Sequence, residues 1–253
     1  MMKFIHKLAS PPHFYSISSV LIPWLAITGL ILILFGVVNG LFFAPPDYQQ
    51  GDAYRIIYVH VPAAYISMMT YTLMAISSAI ALIWRIKLAN AITVSAAPLG
   101  AWFTFLALVT GSIWGKPMWG TWWEWGDPRL TSELLMLFLY FGYMALRASI
   151  VDEKKADQLS SILILVGAIN VPVIHYSVEW WSSLHQTSTL LKIDGPSIAT
   201  SMLIPLLSTI FGTTLYFLSL LMIRTRSEVI MRQKNTKWVK DLIKGVQLSL
   251  IHI

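Results

Sequence analysis

The sequence predicts an all-α, polytopic membrane protein of six transmembrane helices, with the N-terminus and C-terminus cytoplasmic and a Trp-rich outward loop between helices 3 and 4. Three observations carry this reading. Only 12% of the 253 residues are charged while 56% are hydrophobic, against about 25% charged in an ordinary soluble domain. The apolar residues fall in charge-free runs long enough to cross a bilayer, which takes about 20 residues. The basic residues gather at alternate ends of those runs. A soluble globular enzyme is excluded, and the mean hydropathy of +0.66 agrees.

Taken in order, residues 8 to 46, 56 to 84, 88 to 115, 158 to 178 and 195 to 223 carry no Asp, Glu, Lys or Arg. A sixth run, 134 to 146, is short. It reaches spanning length if its helix starts near Asp127 to Thr131 and ends near Val151, with Glu133 and Arg147 snorkelling at the two interfaces. The spans are expected over about 20–43, 60–84, 89–113, 129–150, 159–177 and 197–223, forming one membrane domain over 1–253 with a basic cytoplasmic tail at 224–253. The first run follows Lys3 and Lys7 as a signal peptide would, but it is too long for an h-region and has no small-residue cleavage site, so it reads as a retained helix.

Lys and Arg set the orientation, because cytoplasmic loops hold the excess. Fourteen of the eighteen lie in the N-terminus, 85–90, 147–157 and 224 onward; the other four are Arg55, Lys116, Arg129 and Lys192. Loops 44–57, 114–130 and 177–196 are thus expected to face outward. The charge of +6 records membrane topology rather than a basic face for nucleic acid. With no cysteine, disulfides and thiolate metal sites drop out. Gly36-x-x-x-Gly40 and Gly111-x-x-x-Gly115 are candidate packing faces, and Pro62, Pro98, Pro172 and Pro205 sit in or at the ends of spans.

Eleven tryptophans remain to be explained, five of them in Trp114-Gly-Lys-Pro-Met-Trp119-Gly-Thr-Trp122-Trp123-Glu-Trp125-Gly-Asp127-Pro-Arg129. An interfacial belt would use single tryptophans. Five in twelve residues, spaced by glycine on an outward loop, offer flat rigid surfaces for a ligand that is itself large, flat and mostly apolar. His60 starts the second span at the same level, His185 follows Trp180-Trp181 in the last outward loop, and His175 ends the fifth span. A helix over 178–186 would put Trp181 and His185 on one face. Histidine near a span is costly unless paired or functional.

Zinc asks for three or four clustered ligands; haem asks for one or two axial donors and aromatic walls. Its propionates ask for cations, and Arg55 and Arg129 lie on the correct side to pair bidentately. The alternatives are a solvated loop charge for Arg55 and a helical pair with Glu133 for Arg129. Asp127-Pro128 reads as an N-cap and an N1 proline, and Glu124 has no assigned role. Gly111-Ser-Ile-Trp-Gly115-Lys116-Pro is not a Walker A, so energy-coupled work would need a partner.

Over essentially the whole chain, the six spans, Trp114-Gly-Lys-Pro-Met-Trp119-Gly-Thr-Trp122-Trp123, the following Arg129-Leu-Thr-Ser-Glu133 and the two flanking histidines resemble the haem handling proteins of cytochrome c biogenesis, the cytochrome c maturation protein C (haem exporter protein C) family. The resemblance implies that His60 and His185 are axial ligands of haem b, that the tryptophans form its platform, and that haem is presented to a periplasmic haem chaperone. It also implies a bacterial inner-membrane location, ABC transporter subunits and a small single-span subunit as partners, and delivery rather than catalysis. The chain departs from the family's Trp-x-Trp-Asp pattern: Gly126 separates Trp125 from Asp127, which weakens any carry-over to Asp127. A cytochrome b-type electron-transfer anchor or a permease for an apolar or aromatic solute are the rival readings, the latter hinted at by Asn170-Val-Pro172.

Overall fold

The computed structural model describes residues 10–185 and 198–251. Lys3 and Lys7 at the N-terminus, Lys192 in the last expected outward loop, and residues 252 and 253 lie outside the described residues. The described residues form helices joined by turns, apart from an isolated bridge between Asp47 and Gly51. Five helical stretches are long and apolar enough to cross a membrane: Pro11–Phe43, Asp52–Trp84, Lys87–Trp119, Glu153–Trp180 and Thr200–Arg232.

Helix α1 (Pro11–Val38) opens with Pro11 and Pro12, whose missing N–H groups cost nothing in a first turn, and continues as a π turn over Asn39–Phe43. Its buried residues are small, Ser18, Gly29 and Gly36, while Val20, Trp24, Ile27 and Ile31 stand exposed. That is the reverse of a soluble amphipathic helix. The small face meets α7 (Thr200–Arg232). A Cβ on Gly212 would lie 2.7 Å from the Ile33 nitrogen, and one on Gly29 would lie 2.7 Å from the Tyr216 nitrogen, so the backbones touch because nothing stands between them.

Helices α2 (Ile57–Trp84) and α3 (Lys87–Trp119) pack as a hairpin, turned by Arg85 in the left-handed conformation at φ 55°. Helix α4 (Pro128–Ser149) starts on the Asp127 cap. It falls outside the five apolar stretches, although its 22 residues reach about 33 Å at ~1.5 Å per residue. Its polar residues are turned inward: Glu133, Tyr140 and Tyr143 are buried while Leu135, Phe138 and Phe141 are exposed. Glu133 therefore does not snorkel; Ser67 donates to its Oε1 at 2.6 Å. Around Tyr140 the core gathers Ile66, Tyr71, Met74, Met136 and Phe217.

Helices α5 (Glu153–Gly167) and α6 (Asn170–Trp180) form one interrupted stretch. At the basic end of the bundle, Asp157 pairs with Arg147 and accepts from Arg232 at 2.8 Å, and Arg232 also bonds Glu228 at 2.6 Å. Arg147, expected to snorkel at an interface, and Arg232, in the expected basic tail, thus tie α4, α5 and α7 together. The segment after 223 is mostly helical: α7 continues to Arg232, and α8 (Lys237–Ile251) folds back so that Trp238 meets Tyr15 at 6.0 Å.

Two alanine substitutions separate close packing from helix propensity. Gly212→Ala forces the α1 and α7 backbones apart and is expected to lower stability by about 1–3 kcal/mol. Gly142→Ala, whose Cβ would find its nearest neighbour at 3.9 Å, is expected to be neutral or to gain up to about 1 kcal/mol from propensity. Thermal unfolding in detergent compares the pair directly.

Candidate functional site

At the end of the bundle opposite the Arg232 cluster, a cleft of about 900 Å³ opens between α2, the end of α3, the start of α4, α6 and the chain after α6. Ligand sites of this kind measure about 300–1,000 Å³. His60, Trp114, Trp119, Arg129, His175 and His185 all line it. His60, His185 and Arg129 also line a smaller cavity at its base with Glu133.

His60, in the first turn of α2, is held from α3. Its Nδ1 lies 3.1 Å from the Ala107 carbonyl and 3.0 Å from Thr110 Oγ1. A carbonyl only accepts, so Nδ1 carries the proton and Nε2 keeps its lone pair. Ala107, Thr110, Gly111 and Trp114 form one helical stripe facing this ring. A Cβ on Gly111 would approach the imidazole to 3.1 Å, and Trp114 meets it edge-on at 5.6 Å. Trp114 is itself fixed by donating to Gln50 Oε1 at 2.9 Å.

His185 repeats the arrangement with other parts. Its Nδ1 lies 3.3 Å from Asp127 Oδ1, which places a proton on Nδ1 and directs Nε2 away from the carboxylate, and Trp119 meets the ring at 4.8 Å. Of the helix expected over 178–186, only 178–180 are helical among the described residues, which here end at His185. α6 ends at Trp180, whose successor Trp181 is extended at φ −134° and closes the last turn onto the Ser177 carbonyl at 3.1 Å. The chain leaves the helix because Asp127 draws it away: Ser183 Oγ donates to Asp127 Oδ2 at 2.7 Å and the Leu184 N–H at 2.8 Å.

Asp127 is the cap that its sequence position suggests, accepting from the Arg129 and Leu130 N–H groups at 3.0 Å each, and it also anchors the His185 segment. Burial acts to raise the pKa of this carboxyl. The bonds from His185, Leu130, Ser183 and Leu184 outweigh burial and hold the group well below the usual carboxylate range.

The tryptophans divide. α3 does not end near residue 113, as expected, but runs to Trp119 and ends at Gly120, whose φ of 77° supplies the left-handed turn. Trp114 and Trp119 are thus helical and line the cleft, which leaves a short loop over 120–127. In that loop Trp122 and Trp125 are 57% and 72% exposed, whereas Trp123 packs against the core. Trp122, Trp123 and Trp125 do not line the cleft. Glu124 shapes the loop, its Oε1 accepting from the Gly126 N–H at 3.1 Å.

Arg129 makes no ion pair with Glu133. Among the described residues its guanidinium has no hydrogen bond and no ion pair, and Glu133 and Asp127 act on it only at longer range. A cation without a fixed partner therefore faces the cleft. Arg55 does not line it: Arg55 bonds Asp52 at 2.8 Å and donates to the Gly40 carbonyl at 3.0 Å, fixing the turn before α2. His175 lines the rim and is exposed, edge-on to Tyr176 at 4.6 Å. Sequence reasoning missed Thr110, Gln50 and Ser183. The stripe at 107, 110, 111 and 114 was a readable signal, since small and polar residues at helical spacing on an apolar helix mark an inward face.

The family described as "Heme exporter protein C" matches residues 4–240 of the chain. The chain is 50% identical over 243 residues to "Heme exporter protein C" of Escherichia coli, covering 96% of this chain and 98% of that protein. The protein of the same name from Haemophilus influenzae is 47% identical over 98% of this chain and all of its own length. That of Paracoccus denitrificans is 41% identical over 90% of this chain and 95% of its own.

The Asp127 anchor has a pH signature. Its carboxyl is depressed in the folded protein, so its stabilisation is complete above the ordinary aspartate value of about 3.9 and is lost as pH falls through the lower folded value. Tryptophan fluorescence on acid titration should show loop release below pH ~3.9 in the wild type. In Asp127→Asn a single amide oxygen cannot serve both the Arg129 and Leu130 N–H groups and the Ser183 and Leu184 donors, and the loop should be released at neutral pH. A wild-type transition at or above pH ~3.9 overturns the anchor.

Proposed function

The chain belongs to the heme exporter protein C family, whose task is haem handling in cytochrome c maturation, and from that premise we propose that it holds haem b between His60 and His185 and presents it to a periplasmic haem chaperone. One observation carries the reading. Both imidazoles are fixed through Nδ1 by an acceptor, the Ala107 carbonyl in one case and the Asp127 carboxylate in the other, which leaves Nε2 as the donor on each. An acceptor bonded to Nδ1–H sets the tautomer and orientation of a histidine ligand and raises its basicity.

The surrounding groups suit the same cargo. Trp114 and Trp119 back the two rings and give the macrocycle aromatic walls. Arg129, without a fixed partner among the described residues, suits a propionate, because a guanidinium can pair a carboxylate bidentately. Trp123 roots the short loop in the core, and exposed Trp122 and Trp125 form the face on which the chaperone docks. Covalent attachment of the haem vinyl takes place on the chaperone, so the chain supplies binding, orientation and release rather than a catalytic group.

The distribution of Lys and Arg turns this face toward the periplasm of a bacterial inner membrane, with α4 as the sixth crossing. The chain has no phosphate loop, so ATP-driven release of the loaded chaperone falls to ABC transporter subunits, assembled with this chain and a small single-span subunit.

Absorption spectra of the purified protein test the ligand pair. The wild type should show six-coordinate, bis-histidine haem, and His60→Ala and His185→Ala should each abolish that signature. Asp127→Ala should weaken haem binding about 10–100-fold, as loss of a ligand's outer partner does. A spectrum unchanged by both histidine substitutions ends the ligand model. Trp122→Ala combined with Trp125→Ala should leave the spectrum intact and abolish transfer to the chaperone; unimpaired transfer removes their docking role.

A further inference from the structure

Asn170-Val-Pro172 plays no part in holding haem, yet the helix is interrupted just before it. α5 ends at Gly167 and α6 starts at Asn170. Asn170 Nδ2 donates to the Ser132 carbonyl at 2.8 Å, which fastens the start of α6 to α4. α5 packs against both α2 and α4, whereas α6 packs chiefly against α4 and barely meets α2. The break therefore opens a groove along one side of α2.

That groove is the deep continuation of the histidine cleft. Its α2 wall is Tyr65, Met68, Met69, Thr72, Leu73 and Ile76, a stripe at helical spacing. From His60 to Ile76 the helix advances about 24 Å at ~1.5 Å per residue, well into a hydrocarbon core about 30 Å thick. Tyr65, Thr72 and Ile76 are exposed, so the groove opens sideways and is not a closed channel. The charged groups lining the cleft, Arg129 and Glu179, sit at its upper end.

Resting on the haem-binding reading above, we infer that haem reaches His60 and His185 sideways from the lipid phase along this groove, its propionates toward Arg129 and its macrocycle against the Met68, Met69 and Leu73 face. Haem in a bilayer keeps its ring among the acyl chains and its carboxylates near the headgroups, and the groove has the same polarity profile. A cargo moving this way never exposes its apolar faces to water. Flexible thioethers adapt to a flat ring. The same long side chains disfavour a partner's helix in the groove, since close helix packing in lipid uses small residues.

Thr72→Trp and Ile76→Trp, made singly in the full-length protein, narrow the deep half without touching the histidines, with Thr72→Val as the conservative control. Loading is followed by the bis-histidine spectrum with two donors: haem carried in phosphatidylcholine proteoliposomes, and haem on albumin offered to the detergent-solubilised protein. Both tryptophan variants should load from the bilayer at least about tenfold more slowly than wild type and Thr72→Val, while loading from albumin and the final spectrum stay unchanged. Wild-type rates from the bilayer overturn the inference, as does equal slowing with both donors, which would place the damage in the histidine site. So does release of a co-purifying phospholipid or single-span subunit with loading unaffected, which would give the groove a different occupant. A wild type that takes up haem from neither donor refutes the binding reading itself.

Discussion

Asp127 accepts hydrogen bonds from the Arg129 and Leu130 N–H groups, from Ser183 and the Leu184 N–H, and from the imidazole of His185. Burying a carboxylate is expensive unless each lone pair finds a donor, and here the donors come from two segments about 56 residues apart in sequence. Satisfying the charge therefore requires both segments to be present in one geometry. The same carboxylate that starts α4 decides where the chain after α6 must go and which nitrogen of His185 carries the proton. The arrangement of the site's second half follows from that single buried charge.

His60 reaches an equivalent state by a cheaper route. It stands on a regular helix, and a neighbouring helix supplies a carbonyl, a threonine hydroxyl and a glycine-sized gap at one stripe. One histidine is thus placed by rigid helix packing and the other by a loop whose order depends on an ionised group. Under the haem-holding role proposed above, a histidine fixed by the bundle paired with one on a tether suits release, because the tethered side can let go without disturbing the bundle.

The bundle follows the logic of a chain dissolved in lipid. On α1 the large apolar side chains point outward and the buried residues are a serine and two glycines, and on α4 Leu135, Phe138 and Phe141 point outward while Glu133, Tyr140 and Tyr143 join Met136 and Leu137 inside. Helix association then rests on backbone proximity at Gly29 and Gly212 and on polar links such as Ser67 to Glu133 and Asn170 to Ser132. Water-driven burial of large apolar groups contributes little between helices surrounded by equally apolar lipid.

By itself the sequence determined the helical membrane class, the cap at Asp127, the approximate start and end of each apolar run, and the residue types of the site, because these depend on local composition, charge and spacing. Only the tertiary structure decided that Trp114 and Trp119 belong to a helix and line the cleft while Trp122 and Trp125 stand outside it, since that turns on where a helix finds a left-handed exit at Gly120. Likewise Glu133 faces inward and Arg129 has no fixed partner among the described residues, although their i, i+4 spacing suited a pair, because Ser67 on α2 competes for the carboxylate. Neither the link from Asp127 to His185 nor the groove opened by the break before Asn170 has a local signature. Each depends on which distant backbone groups happen to lie within hydrogen-bonding reach, and spacing along one chain segment carries no record of that.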